Sequence, residues 1–287
     1  MTLGAKAARL SGQTAMYAVL IPTAILTLIP FLWLVLASLK GRDAFFSGVF
    51  FPKTEAGSID WAALSAANFV RLFAEEGIGR AMLNSLFLSS TTALLATLFC
   101  AAGGYALAVY EFRGRKLATG LVLGALIIPP PLLLAPSYKW LFTLGLLDSY
   151  AGLILPAIAP AFGVFLFRQA AKQGVPKAMV EAARIDGCPE PAIFAFVGLP
   201  LLRPMIGAFL LITFLGTWNN FISPQIVLQS PEKFPLSVAV AQLKGVYGID
   251  YGLIMAGTLV SIAPVMVLFL FLQREFISGL TAGAVKG

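Results

Sequence analysis

Six stretches of this chain are apolar over about the length that a bilayer demands. A helix needs roughly 20 mostly apolar residues to cross a hydrocarbon core of about 30 Å. Residues 16–39, 84–109, 117–136, 151–167, 201–222 and 253–272 are of that kind, the fourth being the shortest and holding Pro156 and Pro160. Inside lipid every backbone polar group must be satisfied within the chain, so such stretches are expected to be helices. The expected fold is an all-α polytopic membrane protein with six transmembrane helices. Composition agrees: 59% of residues are hydrophobic and only 11% charged, too little polar surface for a soluble domain. Lys6 and Arg9 precede the first apolar run as they would in a signal peptide. That run is too long for a signal core and closes without a small-x-small site, so it is read as a retained span.

Charge sets the expected topology. With the N-terminus in the cytoplasm and the spans alternating, the inside segments, together with Arg203 at the inner end of the fifth span, hold 12 basic and five acidic residues, and the outside segments hold eight of each. The whole net charge of +7 then lies on the cytoplasmic side, and orientation in the membrane accounts for it. Nucleic-acid binding has nothing left to explain. The chain divides into a cytoplasmic tail (1–15), a six-span domain (16–273) with external loops 40–83 and 223–251 and an inside loop 168–199, and a second cytoplasmic tail (274–287). Within the first external loop, residues 61–76 read as an amphipathic helix with Trp61, Leu64, Phe69, Leu72 and Phe73 on one side. Ser237 reads as the N-cap of a short helix in the second.

Several chemistries are disfavoured by what the chain lacks. It has no histidine, which removes the commonest general base and metal ligand, and no metal site is expected. No Gly-x-x-x-x-Gly-Lys-Ser/Thr occurs, so no nucleotide cradle of that kind is expected. The two cysteines, Cys100 in a span and Cys188 in a loop, are too far apart in depth to pair. A membrane-embedded enzyme would want a catalytic cluster, and a secondary transporter a buried ionisable relay. Neither is evident in the spans.

The inside loop carries the most distinctive pattern. Gly174-Val175-Pro176 sets up a helix start, good helix formers run to Asp186, and Gly187 suits a C-terminal stop at positive φ. Pro189 and Pro191 open a second short helix towards Gly198, and Leu199-Pro200 leads into the fifth span. The expectation is two short helices with a sharp corner at Gly187. Ala178, Met179, Ala182 and Ile185 give the first helix an apolar stripe, with Glu181, Arg184 and Asp186 adding charge.

Glu181-Ala182-Ala183, three residues, Gly187, nine residues, Val197, one residue, then Leu199-Pro200: this spacing resembles the coupling loop of binding-protein-dependent ABC importer permeases, with Val197 where the family usually has Ile. The likeness extends over about residues 12–287. Residues 144–155, Trp218-Asn219-Asn220-Phe221 (Asn220 in place of an Asp), Met255-Ala256-Gly257-Thr258 and the tail 279–287 resemble the shorter permease of carbohydrate-type importers, the group containing the maltose importer. The resemblance implies a complex of this chain, a second homologous permease, a homodimeric ATPase that binds the ATP and Mg, and an external solute-binding protein, in the inner membrane of a prokaryote. It implies no cofactor in this chain. Glu181, Ala182, Ala183, Asp186, Gly187, Leu199 and Pro200 would couple to the ATPase, and Gly279, Leu280, Thr281, Gly283 and Lys286 would contact it. The substrate implied is a carbohydrate.

Polar side chains within spans must face protein or a cavity. Asn84, Ser89, Trp218, Asn219 and Asn220 are the expected pathway residues, with Tyr247 and Tyr251 weaker ones, although such Ser side chains more often bridge helices. Pro129, Pro130 and Pro131 remove three backbone donors in succession and must break the third span, marking a gate or a fixed kink.

Overall fold

The computed structural model describes residues 3–245 and 249–284. Among them there is no strand, only isolated bridges between Lys40 and Leu64 and between Lys53 and Ile59. The helices are α1 (Leu3–Ser38), α2 (Ala67–Ala74), α3 (Ile78–Val109), α4 (Arg115–Ala125), α5 (Leu134–Thr143), α6 (Tyr150–Ile154) and α7 (Ala161–Gly174). They continue with α8 (Lys177–Ile185), α9 (Glu190–Ile193), α10 (Leu199–Leu201), α11 (Arg203–Trp218), α12 (Ile222–Val227), α13 (Leu236–Gln242) and α14 (Tyr251–Ala284). Four segments are long and apolar enough to cross a membrane singly: Met16–Ser38, Ile78–Val109, Tyr150–Gly174 and Tyr251–Leu270. Two more are bent pairs, Arg115–Ala125 with Pro130–Thr143 at 101° and Glu190–Leu201 with Arg203–Trp218 at 79°. Counting each pair once gives the six expected spans.

The chain forms two compact units, residues 1–76 with 242–260, and residues 77–241 with 261–287. In the first, Asn68 is buried and its amide donates to the carbonyls of Ser38 and Lys40, both at 2.9 Å. The Lys40 ammonium, also buried, donates to the carbonyls of Gly48 (2.6 Å) and Val49 (3.0 Å), which fixes the loop that follows α1. Arg71 pairs with Asp250 at 2.8 Å, and this bond raises the guanidinium pKa further.

The second unit is organised on α3, against which α7 and α11 pack. Its core joins Cys100, Ala101 and Tyr105 of α3, Phe167 and Ala171 of α7, and Phe209 of α11. Small residues let these helices approach closely, as is usual where lipid supplies no hydrophobic drive between them. A Cβ on Gly104 would stand 2.6 Å from the backbone nitrogen of Arg168, and one on Gly163 would stand 2.4 Å from the Phe209 ring.

Several boundaries differ from the sequence expectation. Residues 61–76 are not one helix: Trp61–Ala63 form a single 3-10 turn capped by Asp60, residues 64–66 are extended or bent, and only α2 is α-helical. Of the expected apolar side, Leu72 is buried while Trp61 and Phe73 are exposed. Ser237 lies inside α13, and its hydroxyl donates to the Asn220 carbonyl at 2.8 Å instead of capping. The fourth span runs on to Gly174, so Arg168 and Lys172 sit on its last turns, where basic side chains favour a helix C-terminus. The connecting loop therefore begins at Val175. The third span continues past its proline break to Thr143, and the fifth ends at Trp218.

Candidate functional site

Two places in the second unit gather the sequence-predicted residues: the corner between α8 and α9, and a cavity beside α3. At the corner, Pro176 (φ −65°, ψ 130°) turns the chain into α8. The helix buries Val180 and leaves Ala178, Met179, Glu181, Ala182 and Ile185 exposed, Ile185 by 87%. The expected apolar stripe is thus an outward face. The helix ends with the Asp186 amide on the Ala182 carbonyl (2.9 Å) and the Cys188 amide on the Ala183 carbonyl (3.0 Å). Gly187 stands at φ +81°, the left-handed conformation that such a stop requires.

Across the corner, Arg184 meets Glu190 through two hydrogen bonds, Nε to Oε1 at 2.6 Å and Nη2 to Oε2 at 3.3 Å. This two-point pairing fixes the relative direction of α8 and α9. Tyr110, at the end of α3, faces the same carboxylate; burial first, then Glu190 and Tyr105, push its hydroxyl up to about 12. Together Tyr110, Glu111, Lys177, Glu181, Arg184 and Glu190 line a polar depression of about 560 Å³. From Phe194 to Gly198 the chain makes a π-helical turn in which Gly198 comes so close to Tyr105 that a Cβ would stand 2.8 Å from the ring. Leu199 and Pro200 follow in α10, directly before the 79° bend.

The cavity, about 290 Å³, lies among α3, the 130–134 turn, α5, α6, the end of α11 and α12. Ser89, Asn220 and Pro130 line it; Pro129 and Pro131 flank it in sequence without lining it. Ser89 is buried, and its hydroxyl has no hydrogen-bond partner among the described residues. Asn84 lies outside the cavity. Its amide donates to the carbonyls of Glu232 (2.9 Å) and Phe234 (3.0 Å), tying that segment to α3. Trp218 is buried, stacks on Phe214 and donates to the Ser261 carbonyl at 3.2 Å, so it serves packing. Asn219 is exposed and bonds back to Leu215 in its own helix. Tyr251 belongs to the first unit, stacked on Phe45. Gly279, Leu280, Thr281 and Gly283 lie on the last turns of α14; Lys286 and Tyr247 lie outside the described residues.

One polar centre escaped sequence reasoning. Asp148, in a left-handed conformation at φ 52°, accepts hydrogen bonds from the Gln229 and Ser230 amides, the Ser230 hydroxyl and the Lys233 ammonium. These partners hold its carboxyl well below the usual carboxylate range. The result is a staple between the 144–150 link and the loop after α12. Its only sequence signal is the Leu-Leu-Asp-Ser-Tyr run. Among the described residues no group of three or more His, Cys, Asp or Glu is arranged to hold a metal.

Comparison with known proteins bears on the family and the fold. Residues 93–276 match the family described as binding-protein-dependent transport system inner membrane component. The arabinooligosaccharides transport system permease protein AraQ of Halalkalibacterium halodurans is 42% identical over 229 residues, 79% of this chain and 82% of the relative. The melibiose/raffinose/stachyose import permease protein MelC of Bacillus subtilis is 32% identical over 261 residues, 90% of this chain and 91% of the relative. A chain in the crystal structure of a bacterial ABC transporter importing the acidic polysaccharide alginate shares the fold, with a TM-score of 0.77 at 22% identity, covering 93% of this chain and 97% of that one.

Proposed function

The chain belongs to the binding-protein-dependent transport system inner membrane components, and from that premise we propose that it is one of two permease subunits enclosing the pathway of an oligosaccharide importer. The observation that carries the reading is the corner at Gly187. There a helix presents exposed Glu181, Ala182 and Ile185 outward while its other side is built into the core through Val180. Such a knob suits docking into a groove on a separate ATPase. Small alanines permit close approach, and Glu181 can accept a charge-assisted hydrogen bond. Relatives named for arabinooligosaccharides and for melibiose, raffinose and stachyose support a carbohydrate cargo.

In this reading ATP and Mg are bound by the ATPase, and this chain performs no chemistry. Both termini and the corner lie on the cytoplasmic side, and the 40–83 and 223–251 loops lie on the outer side, where an external solute-binding protein would deliver. Closure of the ATPase dimer shifts the corner and exchanges inward-open for outward-open arrangements. The test is purification from native membranes in mild detergent, with mass spectrometry of what accompanies the chain. A second permease and an ATPase in stoichiometric amounts are expected. Recovery of this chain alone, under conditions that keep other membrane complexes whole, would overturn the proposal.

A further inference from the structure

The 290 Å³ cavity contains a buried polar group that packing leaves unexplained. Ser89 is 1% exposed, and its hydroxyl neither bonds back to the preceding turn nor reaches a neighbouring helix. A serine acting as glue between helices would show a partner. An orphaned buried hydroxyl calls for one from outside the protein. Around it the wall alternates aliphatic surface, Leu88, Leu133 and Leu141, with the polar groups of Thr92, Thr217 and Asn220. Asn220 uses its side-chain oxygen to accept the Ser223 amide, and its NH2 group finds no partner among the described residues. Apolar walls with a few convergent polar groups characterise small-molecule sites, and the volume is at the small end of their range of about 300–1,000 Å³. The broken helix at Pro130 supplies one wall, and irregular backbone at membrane depth is tolerated where it lines a cavity.

The wall also has a charge signature. No Lys, Arg, Asp or Glu lines it, and the neighbouring cation, Lys233, is engaged by Asp148 at 2.8 Å. An acidic sugar would bring a carboxylate to a place with nothing to pair it, which is strongly unfavourable. A sugar ring carries C–H faces and hydroxyl edges and matches the mixture present.

We infer that this cavity is a solute subsite within this subunit, taking one uncharged glycosyl unit of the transported oligosaccharide through the Ser89 hydroxyl and the Asn220 amide. The inference rests on the oligosaccharide-importer reading. The experiment measures uptake of radiolabelled lactose, raffinose, arabinotriose and an alginate trisaccharide in cells deleted for the chain and complemented with wild type, Ser89→Ala or Ser89→Phe. Membrane abundance and thermal midpoint of each variant are measured alongside.

Wild type should restore uptake of at least one neutral sugar and not of the acidic one. Ser89→Phe, which fills the cavity, should lower neutral uptake at least tenfold. Ser89→Ala should lower it about fivefold, the loss of one hydrogen bond, while leaving the thermal midpoint unchanged or raised, because it removes an unpartnered buried hydroxyl. Full uptake in Ser89→Ala, whatever its midpoint, overturns the role of the hydroxyl. Full neutral uptake in both variants, or an acidic sugar carried as well as the neutral ones, overturns the subsite. If deletion affects none of the sugars, the importer reading itself fails first.

Discussion

Adjacent glycines on α3 provide a test of how closely that helix meets α7. A Cβ on Gly104 would lie 2.6 Å from the Arg168 nitrogen, 2.6 Å from the Phe167 Cβ and 2.8 Å from the Phe167 carbonyl carbon. Two of those atoms are backbone, so Gly104→Ala must push α7 away. A Cβ on Gly103 would meet only the Val164 methyls at 3.7 and 3.8 Å, an ordinary contact. Both substitutions replace a mid-helix glycine, each gaining about 1 kcal/mol of helix propensity. That gain cancels when the two variants are compared, leaving the overpacking cost of about 1–3 kcal/mol. At roughly 2–4 °C per kcal/mol for a chain of this order of size, Gly104→Ala should melt on the order of 5 °C below Gly103→Ala. Cys100 is fully buried against the same helices and Cys188 is exposed. In a Cys188→Ser background, a fluorogenic maleimide therefore reports the opening of this seam on heating. Equal midpoints for the two alanine variants would refute the close approach.

At the Asp148 staple, a carboxyl held below its usual range stabilises the fold above its unfolded value near 4 and loses that contribution as pH falls towards its folded value. The midpoint gap between wild type and Asp148→Asn, followed from pH 8 to pH 3, should stay level near neutrality and narrow in acid; a gap that widens on acidification contradicts the staple. At Gly187 a Cβ would meet nothing within 4 Å, so the obstacle is the positive φ alone. Gly187→Asn, which tolerates that conformation, should keep ATP hydrolysis tied to uptake, whereas Gly187→Val, strained by about 1–2 kcal/mol or more, should uncouple them with normal insertion. Equal behaviour of the two variants in reconstituted vesicles would count against the corner as the coupling element. Removal of 279–287 should lower ATPase recovery in pull-downs; unchanged recovery takes the tail out of the docking surface.

The apolar lengths made the number of spans legible, because lipid leaves the backbone few choices. Bends were legible only where the cause is local. Pro129, Pro130 and Pro131 announce theirs, and Pro200 and Pro204 flank the 79° bend before Arg203, but the π-helical turn that precedes it, where Gly198 stands against Tyr105 over 90 residues away, has no such local mark. The end of the fourth span was underestimated because α7 continues beyond its apolar stretch into charged turns. Sequence located polar residues in the spans but not the direction they face. Asn84 and Ser85 are neighbours, yet Asn84 reaches out to Glu232 and Phe234 while Ser85 lines the cavity. The Asp148–Lys233 pair joins residues 85 apart, a separation that no local pattern encodes.

The inner side of the corner explains how a displacement there would travel. Val180 of α8 and Ile193 of α9 belong to the same core cluster as Tyr105, Phe167 and Phe209. The Tyr105 ring lies 5.1 Å from Phe194 and 5.6 Å from Tyr110, and Arg184 pairs with Glu190 across the corner. Well-packed interiors transmit strain instead of absorbing it. A push on the exposed Ala182–Ile185 face would therefore carry the ends of α3 and α7 with it before the corner deformed. α3 is one unbroken helix from Ile78 to Val109. At 1.5 Å per residue, the 16 residues between Ser89 and Tyr105 span about 24 Å. The helix that anchors the corner at one end thus forms a wall of the cavity at the other, and a rigid tilt of α3 alters both together. Moving the two ends of α3 independently would require a break in it, and the helix runs without one from Ile78 to Val109.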